Sequence, residues 1–191
     1  MNYFGQAGVF LIETVFGLYM LIVMLRFLLQ WVRADFYNPV SQGIVMMTNP
    51  PLRLLRKVIP GWFGIDFASL ALLLILAIAK TYLIQWASGR GPAFSGVLVY
   101  SIGLILQYLV WILIIAVIVR IVASWLVTSY NPIIGLLDSL TEPLMAPARR
   151  ILPPFGGLDF SPILVIIFLN LSLILLVNPL LDQGARMMLM A

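Results

Sequence analysis

Four polar side chains, Glu13, Lys80, Gln107 and Asn170, stand inside long apolar runs, where an ionisable or amide group is costly unless it meets a partner or water. A carboxylate and an ammonium placed there can form an ion pair, a brace between helices, or steps of an ion path. Basic clusters lie between the runs, at Arg53, Arg56 and Lys57 and again at Arg149 and Arg150, and an acid follows each, Asp66 or Asp159. Such clusters attract anionic lipid headgroups at about 1 kcal/mol per side chain near a membrane surface. The chain has no Cys and no His, which excludes disulfides, thiolate or imidazole metal sites, and Ser-His or Cys-His nucleophiles. No catalytic residue, metal or cofactor is expected. Neither Asp66 nor Asp159 has a second catalytic group beside it, so capping of a helix by Asp66, Asp159 and Ser161 is set ahead of catalysis.

These groups must be positioned by elements that suit the composition. At 191 residues, 63% hydrophobic and 9% charged, the chain has too little polar surface to cover a water-soluble globule, for which about 25% charged residues is usual. It reads as a membrane protein. The net charge of +4, from 11 basic and 7 acidic residues, then bears on orientation rather than on nucleic acid, which is not an expected partner. The first residues, MNYFGQAGVF, lack the basic start of a cleavable signal and are read as part of the mature protein.

Four stretches reach the roughly 20 apolar residues that a helix needs to cross a bilayer: near Gly8 to Trp31, Phe67 to Trp86, Val97 to Val119 and Phe160 to Leu181. None shows the strict alternation of a barrel strand. Arg26 in the first is expected to bend its stem toward the headgroups. The links from Arg26 to Asp66 and from Arg120 to Asp159 hold Arg26, Arg33, Arg53, Arg56, Lys57, Arg120, Arg149 and Arg150, against Arg90 and Arg186 on the other side. The positive-inside rule therefore puts both links in the cytoplasm and both termini in the periplasm.

The links also repeat. TNPPLRLLRKVIPGWFGIDF, from Thr48 to Phe67, returns as TEPLMAPARRILPPFGGLDF, from Thr141 to Phe160, at a shift of about 93 positions. The same shift carries Tyr37-Asn38-Pro39 onto Tyr130-Asn131-Pro132, and a shift of about 94 carries Arg26 onto Arg120. A tandem duplication follows, with repeats over residues 1–91 and 92–191. Each repeat holds two crossings, so the expected fold is all-α, four transmembrane helices as two parallel hairpins. Each link should add a short interfacial amphipathic or re-entrant helix. In the first, Thr48 is placed to cap it, Pro50 falls in its first turn and Pro60 ends it; in the second, Pro147 should break it. The two Asn-Pro pairs are read as turns that stop a helix. Glu13 and Lys80 come out at similar depth and are expected to pair, while Gln107 is placed to reach Asn170. A structural brace is set ahead of an ion path for these four.

The repeated pattern resembles the YggT family of small bacterial membrane proteins. The second repeat carries it through Thr141-Glu142-Pro143, then Pro147-Ala148-Arg149-Arg150-Ile151-Leu152-Pro153-Pro154, then Gly156-Gly157-Leu158-Asp159-Phe160-Ser161-Pro162; the first is looser, with Phe63 in place of a glycine and Ala68-Ser69 in place of Ser-Pro. The resemblance implies a bacterial inner-membrane protein, and relatives linked to osmotic-shock tolerance and potassium uptake, to cell division, and to assembly of photosynthetic membrane complexes. The expected role is that of a non-enzymatic scaffold, assembly or accessory factor for another membrane complex. The alternative is an ion channel or a transport accessory, in potassium uptake or osmoregulation, using Glu13, Lys80, Gln107 and Asn170. Expected partners are anionic membrane lipids, another integral membrane protein, and, as an open option, a second copy of the chain.

Overall fold

The computed structural model describes residues 3–61, 64–89, 91, 94–126, 131–153 and 159–190. Tyr130, Arg90, Phe63, Pro154 and the Gly156-Gly157-Leu158 segment, all singled out by the sequence, lie outside them. The elements in chain order are α1 (Tyr3–Trp31), α2 (Pro39–Leu55), α3 (Phe67–Ala87), α4 (Phe94–Leu126), α5 (Pro132–Ile151), α6 (Ser161–Ser172), a π-helical turn (Leu173–Val177) and α7 (Asn178–Leu189). No strand occurs among the described residues. Four helical segments are long and apolar enough to cross a membrane: α1, α3, α4 and the continuous run from α6 to α7.

The spans pack in chain order, α1 against α3, α3 against α4, and α4 against α6 and α7. Their shared core holds Met20, Met24, Leu28, Leu73, Val117 and Val177. The tightest approach is between α4 and α7, where glycines replace side chains at the crossing. A Cβ on Gly184 would stand 2.5 Å from the Tyr100 nitrogen, and one on Gly96 would stand 2.6 Å from Met188 Cγ. Backbones can come this close only where side chains are absent, as at small-residue contacts in membrane bundles. Gly17 has a similar role, its Cβ position lying 2.9 Å from the Tyr108 hydroxyl.

The π-helical turn has a local cause. Pro179 offers no N–H and its ring crowds the carbonyl four residues back, so the helix widens just before it. Asn178 N–H accordingly reaches Leu173 O, five residues away rather than four.

Helix α1 ends in a Schellman motif. Arg33 adopts a positive φ of 53°, Ala34 N–H donates to Leu29 O at 2.9 Å, and Arg33 N–H donates to Gln30 O at 3.1 Å. The turn delivers the chain to Asn38, and here the Asn-Pro pairs differ from the reading of them as helix stops. Both open helices: Asn38 Oδ1 accepts from Val40 N–H and Asn131 Oδ1 from Ile133 N–H, each at 2.9 Å, with Pro39 and Pro132 in the first turn. A proline there sacrifices only an N–H that has no partner within the helix.

The link helices are consequently longer than expected. Thr48 does not cap α2. It lies well inside the helix, fully buried, with its hydroxyl donating to Ile44 O at 2.6 Å, and Thr141 does the same to Leu137 O at 2.8 Å. Pro50, Pro51, Pro143 and Pro147 are all accommodated inside α2 and α5, and Pro147 does not break α5. Each removes one ladder bond from the carbonyl four residues earlier. For Pro51 that carbonyl belongs to Met47, and the Tyr19 hydroxyl donates to it at 3.4 Å. A surface helix can tolerate such a loss because other donors reach its exposed carbonyls.

Candidate functional site

The polar groups gather at two ends of the bundle. At one end α2 and α5 meet where they begin, through Asn38 Nδ2, which donates to Pro132 O at 2.7 Å. At this link end, each basic cluster meets the acid that follows it. Arg56 and Asp66, ten residues apart, form an ion pair, and Asp66 also accepts from Ser69 Oγ at 2.7 Å. In the second repeat Arg149 Nε donates to Asp159 at 3.0 Å, and Asp159 accepts from Ser161 N–H at 2.9 Å and Ser161 Oγ at 2.5 Å. The link helix of each repeat is thereby tied to the start of the span that follows.

The electrostatics match this geometry. Burial opposes ionisation of Asp66, but the bonds from Arg56 and Ser69 outweigh it and hold the carboxyl below its ordinary value of 3.8. Asp159 is lowered likewise, burial being outweighed by Ser161 and Arg149. The bond to Asp159, aided by Glu142, raises Arg149. Asp159 and Ser161 thus stand at the start of the fourth span as the sequence suggests. Asp66 occupies the residue before α3, where its carboxylate is held chiefly by Arg56 and the Ser69 hydroxyl.

Sequence reasoning missed the partners of the Arg that ends each span. Arg120 Nε donates to Asp138 at 2.6 Å, and its Nη2 lies 3.5 Å from Glu142, which also accepts from Arg149 at 3.1 Å. Asp138 and Glu142 are four residues apart, a spacing that puts both on one helix face, and this was the available signal. Arg26 behaves differently. Rather than extending toward headgroups, it is 5% exposed, with Nη1 donating to Thr48 Oγ1 at 2.7 Å and Val45 O at 3.2 Å. Of the five basic residues singled out in the links, Arg56 and Arg149 are therefore ion-paired, whereas Arg53, Lys57 and Arg150 are exposed and make no ion pair among the described residues.

At the other end Glu13, Lys80, Thr81, Gln85, Ser88 and Tyr100 line one cavity of about 240 Å³. Glu13 and Lys80 do share a depth, but they form no ion pair within 4.0 Å. Lys80 instead places Nζ 5.8 Å from the ring centre of Tyr108, a cation–π contact. Gln85 reaches Met188 through Nε2 and leaves Oε1 buried without a partner. Gln107 and Asn170 do not meet. Asn170 is exposed and donates to Ile166 O of its own helix at 2.8 Å, since an amide pointing out of a bundle satisfies itself on the nearest free carbonyl lone pair. Among the described residues no group of His, Cys, Asp and Glu could hold a metal ion.

The duplicated arrangement of basic link, acid and span has counterparts elsewhere. The sequence pattern of the CCB3/YggT family matches residues 5–87 and again 99–180. An uncharacterized protein of Pseudomonas aeruginosa is 42% identical over 177 residues, covering 91% of this chain and 90% of its own. The uncharacterized protein YggT of Escherichia coli is 38% identical over 84% of both chains. A chloroplast protein of Arabidopsis thaliana, YlmG homolog protein 2, shares 40% identity over 53 residues, 28% of this chain and 21% of its own. No solved structure matches. Both segments of the pattern and most of each bacterial relative are covered, so the chain belongs to the CCB3/YggT family.

Proposed function

We propose that this chain is a non-enzymatic, multi-pass protein of the bacterial inner membrane that serves as a scaffold or assembly factor for another membrane complex. In this reading its repeats stand as parallel hairpins with both links in the cytoplasm. One observation carries it: the ionisable groups at the link end are used to hold two helices rigidly against the spans. Arg56 with Asp66 and Arg149 with Asp159 tie the helices down, while Arg53, Lys57, Arg150, Met46 and Leu54 remain exposed. A rigid surface of basic and apolar side chains suits a partner protein at headgroup depth, or the anionic lipids around it. Osmotic tolerance and cell division, suggested by the family resemblance, are the processes in which such a partner is sought.

The test is photocrosslinking in native membranes from a reactive side chain at Leu54, with Leu11 on the exposed face of α1 as control. A distinct integral membrane protein captured from Leu54 and not from Leu11 is expected. Recovery of this chain alone, as monomer or oligomer, contradicts the scaffold reading.

The polar cavity holding Glu13 and Lys80 favours a second reading, an accessory of ion transport. Ion flux from purified protein in liposomes, abolished by Glu13→Ala, supports that reading over the first. Neither Gln107 nor Asn170 is among the residues that line this cavity, and an ion path needs several such groups in a line, which is why the scaffold reading is placed first.

A further inference from the structure

The two repeats treat the same arginine in opposite ways. Arg120 corresponds to Arg26, Asp138 to Val45, Glu142 to Asn49, Arg149 to Arg56 and Asp159 to Asp66. In the second repeat Arg120 Nε donates to Asp138, and Glu142 accepts from both Arg120 and Arg149. Two cations there face three carboxylates, a local charge of −1, although Arg120 Nη1 stays buried without a partner. In the first repeat both carboxylates are gone. Arg26 and Arg56 face Asp66 alone, a local charge of +1, and the orphaned atom is Arg26 Nε, the same atom that Asp138 satisfies on Arg120.

Arg26 lines a cleft of about 710 Å³ together with Arg56 and the amides of Gln30, Gln42 and Asn49. Arg26 as a residue is 5% exposed, its Nε is buried without a partner, and its guanidinium carries a charge with no carboxylate within 4.0 Å. A buried cation without a counter-ion is costly, and an anion from outside the chain removes the cost. Planar guanidinium groups and amide donors suit a phosphate oxygen. The same cleft is walled by Phe36, Val45 and Met46, and Arg26 stands in the last two turns of α1. Apolar walls beside cationic donors fit a molecule with a charged head and an oily body.

We infer that the Arg26–Arg56 cleft of the first repeat binds one phosphate-bearing anion, supplied by the phosphodiester headgroup of an anionic phospholipid. The second repeat has the equivalent position filled by its own Asp138 and Glu142. The site does not depend on which complex the protein serves.

Removing Arg26 also breaks its bonds to Thr48 and Val45, so the decisive variant closes the site without removing it. Val45→Asp with Asn49→Glu transplants the carboxylates of the second repeat. Full-length protein is purified, stripped of lipid, offered phosphatidylglycerol, and its retained lipid counted by native mass spectrometry. One molecule retained by the wild type, and binding at least tenfold weaker in the double variant at an unchanged or higher melting temperature, is the expected result. Asn49→Glu alone, at a partly exposed position, guards against a folding defect and should weaken binding about threefold. In a second arm inorganic phosphate is titrated into the stripped protein. Saturable binding there, sensitive to the same substitutions and without retained lipid, keeps the site and assigns it to soluble phosphate. Equal retention of phosphatidylglycerol by wild type and both variants, or binding of neither probe by the wild type, overturns it.

Discussion

Arg149 and Asp159 meet at 3.0 Å across a ten-residue segment, and Arg56 and Asp66 meet across a segment of the same length. The duplicated pair closes each link onto the following span. Burial distinguishes the copies: the Asp66 side chain is 4% exposed and that of Asp159 is 34%. Asp66→Ala should therefore destabilise the protein more than Asp159→Ala. We expect about 2 kcal/mol for the first, held below the fully buried range by the partly open Arg56, and about 0.5 kcal/mol for the second. Chemical denaturation of the two variants in one detergent measures the order, and equal losses would show that burial does not set the strength of the pair.

Acid should open both ties. Their carboxyls ionise below the ordinary value of 3.8, so the folded state binds fewer protons than the unfolded chain. The stability they add is complete above that value and is lost as pH falls through the lower folded values. A melting temperature that is flat from neutral pH to about 5 and drops below about 4 is expected, with a shallower drop in Asp66→Asn. A steep loss already near pH 6 would point to some other group.

Much of this was legible in the sequence, and the misses have physical causes. Four helices follow from the length and oiliness of four runs, and the duplication follows from direct superposition of Thr48 on Thr141 and Asp66 on Asp159. The link helices were misjudged because proline was weighed by its local cost alone. Pro50 and Pro147 sit in helices whose other side is anchored by Thr48, Leu52, Met145 and Ala148 in the core, and tertiary burial outweighs a missing ladder bond. The Asn-Pro pairs were ambiguous, since the same dipeptide can follow one helix and begin the next. Pairing of Glu13 with Lys80 was inferred from depth, but depth along two helices leaves their rotation undetermined. The Arg120 cluster needed contacts between α4 and α5 that no linear pattern contains.

Glu13 and Lys80 share a cavity without touching, which predicts weak coupling. A double-mutant cycle of Glu13→Gln and Lys80→Met should give an interaction energy below about 0.5 kcal/mol. A value of about 2 kcal/mol or more would point to a direct ion pair, which this structure does not contain.

Gly184 is the tightest point of the α4–α7 contact. Gly184→Leu places side-chain atoms where Tyr100 backbone already stands, so the helices must separate and lose their packing. A loss of about 2 to 3 kcal/mol is expected, typical of overpacked cores. The same substitution at Gly8, where a Cβ meets nothing within 4 Å, is the control and should be nearly neutral.

Arg33 offers the opposite sign. Its positive φ of 53° strains an L side chain but not glycine, and its N–H bond to Gln30 O needs only the backbone. Arg33→Gly should raise stability by up to about 1 kcal/mol, read as a higher melting temperature. A clear fall would mean that the Arg33 side chain contributes a contact beyond its backbone role.

Asn38 joins the two link helices where they begin, so the proposed arrangement puts both on one side of the membrane, and the positive-inside rule predicts that this side is the cytoplasm. The chain contains no cysteine, so Lys57→Cys and Arg150→Cys each provide a single reporter. A membrane-impermeant thiol reagent applied to right-side-out and inverted vesicles measures their side. Both positions should react only in inverted vesicles. Labelling of the two from opposite faces would contradict the parallel repeats and the common end on which the proposed scaffold surface depends.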